Sequence, residues 1–217
     1  MRLVFLLDVD NTLLDHDGAG AVLASDVEAL IGSEYAKRFW HEYEQVRQEL
    51  DFVDFLHTLE RFRRHFPNLR NFGKLADLVL CFPYGSCLYP GSLEAIAHLR
   101  RLGTTVILSD GDPIFQAAKI ARAGLADAVD GNVLIFIHKE DNLAEVQRRF
   151  PADRYVMVDD KPRILAALKE RLGDRVVTVH VNQGCYAQEP HAAPDITVEH
   201  VADLAGLAAD RFAPAAR

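Results

Sequence analysis

Cysteine is scarce in this 217-residue chain. The three present, Cys81, Cys87 and Cys185, are odd in number and match no zinc-ligand spacing. That argues against both a disulfide framework and a metal–thiolate cluster, and leaves buried or idle thiols in a reducing compartment. Long apolar runs are missing as well. None approaches the roughly 20 residues needed to cross a bilayer. The apolar start of the chain is broken by Asp8 and Asp10 before it reaches the length of a signal-peptide core, and no small-residue cleavage site follows. A cytoplasmic protein without membrane association is expected. Positive charge is outnumbered, 24 Lys and Arg against 32 Asp and Glu, for a formal net charge of −8. Such a surface repels polyanions, so nucleic acid is not an expected partner. The basic stretch Arg61, Arg63, Arg64, His65 reads as a solvated helix face. There is no internal repeat and no low-complexity tract. The Ala/Pro-rich tail Ala213–Arg217 is expected to fray.

What is present is a rhythm. Leu3–Val9 is a nearly continuous apolar run, the pattern of a strand buried on both faces of a parallel sheet. The same texture returns in Thr104–Leu108, Val133–Ile137, Tyr155–Val158 and Val176–Val181. Helical patterns separate these runs: Ser92–Arg101, residues 113–123, Leu143–Phe150 and Ile164–Leu172, two of them opened by a proline and two closed by a glycine. Strands alternating with helices predict a doubly wound parallel α/β sheet, Rossmann-like in layout.

Residues 17–88 break the rhythm. They hold four helical patterns, Ala19–Ile31, Glu34–Glu49, Phe52–His65 and Leu75–Cys81, and no convincing strand. A helical block of ~70 residues far exceeds an ordinary crossover. It reads as an inserted helical cap over residues 17–87, with the core made of 1–16 and 88–217. Linkers are expected near His16–Gly20 and Pro83–Pro90. The aromatics Tyr35, Phe39, Trp40 and Tyr43 have helical spacing and are expected to pack the cap's interior.

Polar chemistry gathers at the ends of the strand runs. The first ends Asp8-Val9-Asp10-Asn11-Thr12, another ends Asp159-Asp160, and Ser109 closes Thr104–Leu108. Open parallel sheets bind ligands at the carboxyl ends of their strands, so these groups should share one crevice. Clustered carboxylates repel, and a divalent cation relieves the strain; hard oxygen ligands suit Mg²⁺. The cations at hand are Lys139, just after Val133–Ile137, and Lys161, just after the acid pair. Acids, a hydroxyl and a cation at one sheet edge equip a site for phosphoryl transfer.

These residues resemble the haloacid dehalogenase-like superfamily. Asp8-Val9-Asp10-Asn11-Thr12 looks like its DxDxT signature, Ser109 stands where its second motif has Ser or Thr, Lys139 where its third has Lys, and Asp159-Asp160 resembles its acidic fourth motif. The insertion after the first motif lies where the family places its C1 caps. The resemblance implies that Asp8 is a nucleophile forming an aspartyl-phosphate. It implies that Asp10 protonates the leaving group and then activates water, while Thr12 and Asn11 support the loop. Ser109 would bond the phosphoryl oxygens and Lys139 would steady the charge. Mg²⁺ would be held by the Asp8 side chain, the Asp10 carbonyl, and Asp159 and Asp160. Haloalkanoic dehalogenases of the superfamily lack a second acid in the first motif and need no metal, so Asp10 points to a phosphatase acting on a small phosphorylated metabolite.

Other readings weigh less. A phosphomutase of the same superfamily would need a sugar-gripping cap that cannot be read here. A receiver-like phosphate-binding module takes phosphate at the end of its third strand and lacks the insertion. The intact motif acids argue against a non-catalytic relative that serves as a binding protein. Asp110-Gly111-Asp112 departs from the Asn-Gly type of segment common after the second-motif Ser and adds two acids, of which Asp112 can cap the helix starting at Pro113. Asp15, His16 and Asp17 could line the cap's mouth or form a polar hinge. Tyr84 and Tyr89 lie in the second linker, where they could touch a substrate.

Overall fold

The structure, a computed structural model, describes residues 1–50, 52–190 and 192–212; the tail Ala213–Arg217 lies outside them. Six strands form one sheet: β1 (Leu3–Leu7), β2 (Thr104–Asp110), β3 (Val133–Phe136), β4 (Arg154–Asp159), β5 (Val176–Val181) and β6 (Ile196–Val198). Their order is β3-β2-β1-β4-β5-β6, and every neighbouring pair is parallel. The parallel α/β sheet expected from the sequence is therefore present, with β6 as an additional three-residue edge strand.

The alternation of side chains across β1 explains why all five of its residues are apolar. Leu3, Phe5 and Leu7 join one buried cluster, which includes α5 (Ser92–Leu102) and Phe212. Val4 and Leu6 join the other, with α8 (Leu143–Arg149) and α9 (Pro162–Leu172). Phe5 meets Phe212 edge to face, 5.1 Å between centroids. Burial of one such side chain contributes about 1.5–3 kcal/mol. Helices α6 (Pro113–Arg122) and α7 (Leu125–Ala128) complete the connection from β2 to β3.

Between β1 and α5 lie four helices: α1 (His16–Ile31), α2 (Ser33–Leu50), α3 (Phe55–His65) and α4 (Phe72–Leu80). They pack on one another, α1 on α2 and α4, and α3 on α2 and α4. The buried stripe of α1, Ala19, Leu23, Val27 and Ile31, recurs every fourth residue. Phe39 is the centre of the block, fully buried and edge-to-face against Phe62 at 5.4 Å and Trp40 at 5.2 Å. The helix over Phe52–His65 begins only at Phe55, because Asp54 caps it by accepting from the His57 amide at 2.8 Å.

His16–Gly20, expected as a linker, is the first part of α1. Two glycines there weaken helix propensity, but side-chain caps override it. Asp15 accepts from the Gly18 amide at 2.8 Å, and Asn11 Oδ1 accepts from the amides of His16 and Asp17, each at 3.1 Å. The return path, Pro83–Pro90, contains a 3₁₀ turn over Tyr84–Cys87 and runs beside the outgoing chain. Asp15 N donates to the Cys87 carbonyl at 2.8 Å, and Tyr89 N to the Leu13 carbonyl at 3.0 Å. The two crossings between helical block and sheet are thus hydrogen-bonded to each other.

Candidate active site

The sheet order places β1 between β2 and β4, the point at which successive crossovers diverge and leave a crevice at the strand ends. Asp8 follows β1 directly, Ser109 and Asp110 end β2, and Asp159 ends β4. Asp8, Asp159 and Asp160 are all buried, with one carboxylate oxygen from each within 4.8 Å of the others. Lys139, also fully buried, bonds Asp8 Oδ1 and reaches Asp159 Oδ2 at 2.7 Å. Of the two candidate lysines, Lys139 is the one in contact with Asp8. Lys161 lines the crevice nearby, with its ammonium 5.4 Å from the Tyr186 ring centroid.

Charge balance in this cluster is unfinished. Burial raises the Asp8 pKa; the Lys139 charge opposes the rise and Asp159 adds to it. Lys139 loses basicity to burial but is lifted above its ordinary value by Asp159 and Asp8. Asp160 is pushed up to about 9, first by burial and then by the charges of Asp8 and Asp159. Both of its carboxylate oxygens are buried without a hydrogen-bond partner. Lys139 pairs with two of the three acids, and the Lys161 charge offsets the burial of Asp8 and Asp160 only in part.

The second motif acid behaves differently. Asp10 does not point into the carboxylate trio. Lys119 donates to both of its oxygens, at 2.5 and 2.7 Å, Gln116 Nε2 donates to Oδ2 at 3.0 Å, and His16 Nδ1 stands 3.6 Å from Oδ1. Burial alone would raise its pKa, but Lys119, with His16 and the hydrogen bonds, holds it far below the usual carboxylate range. Gln116 also donates to the buried Ser109 hydroxyl at 2.8 Å, so one amide ties two predicted site residues together. Neither Gln116 nor Lys119 was singled out from the sequence. Their signal is faint: two polar residues on the buried stripe of α6 with Ile120, at a spacing that otherwise marks core positions.

The supporting residues hold the loop. Thr12 Oγ1 donates to Asp8 Oδ2 at 3.2 Å and accepts from the Asp160 amide at 3.0 Å, joining the first and fourth motifs. Asn11 has a left-handed backbone, φ 61°, and spends its side chain on the start of α1. Gly184 packs so close to it that a Cβ there would lie 2.4 Å from the Asn11 Cβ. Asp110 accepts from the Lys139 amide at 2.8 Å; burial, chiefly, raises its pKa. Asp112 caps α6 through the amides of Ile114 and Phe115. A crevice of about 530 Å³ opens above these groups. Its sheet side offers Asp10, Asn11 and Lys161, and its helical side Tyr43, Arg47 and Phe55. Tyr43 is therefore a wall of the crevice as well as part of the helical packing, unlike the interior Phe39.

A family model described as haloacid dehalogenase-like hydrolase matches residues 3–181. The chain belongs to the haloacid dehalogenase-like hydrolases. It is similar to the crystal structure of a haloacid dehalogenase-like hydrolase from Burkholderia xenovorans LB400, with 44% identity, 98% of this chain and 99% of that one covered, and a TM-score of 0.88. Two more distant members share the fold. L-2-haloacid dehalogenase from Xanthobacter autotrophicus is 20% identical over 95% of this chain and 98% of its own, with a TM-score of 0.64. The HAD-hydrolase YfnB from Bacillus subtilis, solved bound to magnesium, is 14% identical over 94% of this chain and 96% of its own, with a TM-score of 0.61. No curated protein matches. As a haloacid dehalogenase-like hydrolase the chain is an enzyme of hydrolytic class, and none of the helices among its described residues is long and apolar enough to cross a membrane.

Proposed function

We propose that this hydrolase is a phosphatase that removes phosphate from a small phosphomonoester, with Asp8 as nucleophile and Mg²⁺ as cofactor. The observation that carries the reading is Asp160: a fully buried carboxylate with two unpartnered oxygens beside Asp8 and Asp159. Such a group is costly unless a cation neutralises it. The three acids form an all-oxygen donor set that suits a hard divalent ion. Asp8, Asp159 and Asp160 would hold Mg²⁺, with the Asp10 carbonyl as the fourth protein ligand implied by the family resemblance. Bound there, the ion would offset the negative charge of the phosphoryl group.

The chain's own residues divide the work. Asp8 attacks phosphorus through a carboxylate oxygen, and the bond from phosphorus to the alcohol oxygen breaks. The leaving oxygen takes its proton from the Asp10–Lys119 pair, in which an ammonium already bonds both Asp10 oxygens. Water then attacks the phosphorus of the aspartyl-phosphate, the bond from phosphorus to the Asp8 oxygen breaks to free Asp8 and inorganic phosphate, and the water's proton returns to the same pair. Asp10 is ionised by Lys119 and so is ready for this second step as a base. Ser109 is placed by Gln116 to bond phosphoryl oxygens, and Lys139 to neutralise Asp8 and its phosphoryl adduct. The helical block, residues 17–87, serves as a cap of C1 type that shields the crevice from water.

Phosphate release from an aryl phosphate tests this, using wild type and Asp8→Asn with Mg²⁺ and with a chelator. Chloride release from 2-chloropropionate is measured in parallel. Turnover of the phosphate that requires both Asp8 and Mg²⁺ is expected. Metal-independent chloride release without phosphate release would overturn the reading in favour of dehalogenation.

A further inference from the structure

Behind the crevice lies a second cavity of about 260 Å³, bounded by α1, α2 and the turn at Tyr84. It shares His16, Tyr43 and Phe55 with the crevice, so the two spaces adjoin along that wall, and His16 of the wall stands 3.6 Å from Asp10 of the proposed proton-transfer group. Its remaining lining is the aromatic Trp40 and Tyr84, the aliphatic Leu23, and the small Ala24 and Gly20. Trp40 and Tyr43 are 5.4 Å apart, and Tyr43 and Phe55 are 5.2 Å apart and tilted by 33°, so the rings make a continuous wall. Trp40 contributes something else. Its indole Nε1 is buried and has no hydrogen-bond partner. A buried indole N–H ordinarily finds an acceptor, and an orphaned donor is costly.

We infer that this cavity seats the organic end of the substrate. The end it takes is a flat aromatic or heteroaromatic ring with a hydrogen-bond acceptor for Trp40, joined to the phosphate by a short linker. The inference rests on the phosphatase reading. Ring faces favour stacked or edge-on rings over aliphatic chains. A polyhydroxylated group would leave most of its hydroxyls unpaired against this lining, which sites reject strongly. Volume agrees: an apolar cavity of about 150 Å³ holds benzene, so 260 Å³ leaves room for ring substituents or a second fused ring.

Gly20 supplies the test. A Cβ added there meets nothing within 4 Å, and Phe is a better helix former than Gly, so Gly20→Phe places a ring at the cavity without threatening the fold. Trp40 is the only tryptophan in the chain, so emission excited beyond the absorption of its six tyrosines reports on this residue. Hydrolysis of 2-(3-pyridyl)ethyl phosphate and of ethyl phosphate is compared in wild type and Gly20→Phe, and Trp40 emission is titrated with 3-pyridylmethanol in both. Wild type is expected to favour the pyridyl ester at least tenfold in kcat/KM. That preference should fall about tenfold in the variant, mainly through KM, and a saturable emission change should be lost with it. A preference equal in the two proteins overturns the inference, whatever the emission does. If neither ester turns over while the aryl phosphate does, the inference falls; if the aryl phosphate is not turned over either, the phosphatase reading falls, and emission alone decides the cavity: a saturable response abolished by Gly20→Phe upholds ring binding, and no response removes it too.

Discussion

Asp10 and Lys119 make an asymmetric pair, because the lysine is buried and the carboxylate borders the crevice. Removing the carboxylate charge by Asp10→Asn is expected to lower kcat for an aryl phosphate by about 10²–10⁴-fold, the usual range for a lost acid–base group. Lys119→Met keeps Asp10 but frees its two oxygens from their main partner. A loss of at least tenfold in kcat, smaller than that of Asp10→Asn and with little change in KM, is expected from steady-state kinetics. Equal kcat in Lys119→Met and wild type would remove the lysine from the mechanism. Asp8, Asp10, Ser109, Asp159 and Asp160 stood out in the sequence because each lies at the end of an apolar strand run, where a polar residue has no packing reason to be; position left Lys139 and Lys161 as equal candidates, and only the packed structure shows Lys139 against Asp8. Lys119 and Gln116 were not legible, because a helix tolerates polar residues at every position and only the packed structure shows which of them are inside. Trp40 and Tyr43 were assigned to helical packing by the same spacing argument. That holds for Phe39, but the period of a helix does not say where a packed face ends and a cavity begins.

Elements are joined as much by single polar residues as by apolar faces. Asp195, just before β6, accepts from the Thr178 amide and hydroxyl on β5 at 2.8 and 3.0 Å and from Lys169 of α9 at 2.9 and 2.7 Å. Burial pushes its pKa up, but the Lys169 and Thr178 bonds outweigh it and leave the value below its ordinary 3.8. A depressed folded-state pKa means the stabilisation is fully present above pH 3.8 and fades as pH falls through the lower folded value. Asp195→Ala is therefore expected to cost about 1–2 kcal/mol at pH 7, a figure kept low because the side chain is partly solvated. The difference from wild type should shrink below pH 3.8. Urea midpoints at pH 7 and pH 3 check both statements, and a gap that widens in acid contradicts them. This strand-capping contact is also why β6 escaped the sequence reading. Three residues are too short for a periodic signal, and their pairing with β5 is anchored from outside the strand. His16–Gly20 escaped for the complementary reason, since caps donated by Asn11 and Asp15 sustain a helix that the glycines alone would not nominate.

At the scale of the whole molecule, the proposed metal site would make stability depend on metal. Mg²⁺ bound only by the folded chain stabilises it by about 2.7 kcal/mol at a hundredfold excess over Kd, or roughly 5–10 °C in Tm for a chain of this size. Thermal unfolding at pH 7 with Mg²⁺ and with a chelator is expected to show that rise. Asp160→Asn should lose most of it while melting close to wild type in chelator, because the metal-free Asp160 carboxyl, pushed up to about 9, is already neutral at pH 7, as the amide is. A Tm indifferent to Mg²⁺ in wild type would count against the metal site.

The capping of α1 by Asn11 has a mechanical consequence. The loop that carries Asp8 and Asp10 and the sixteen-residue helix that leads into the helical block are spliced with no slack between them. Such a rod is about 24 Å long. Pivoted at its base, a tilt of roughly 10° sweeps its far end through about 4 Å, farther than the spacing of neighbouring residues along a strand. A displacement at the base too small to disturb bonding around Asp8 is geared up along that lever into a visible shift of the outer rim, and pressure on the rim is geared down into fine adjustment at the carboxylates.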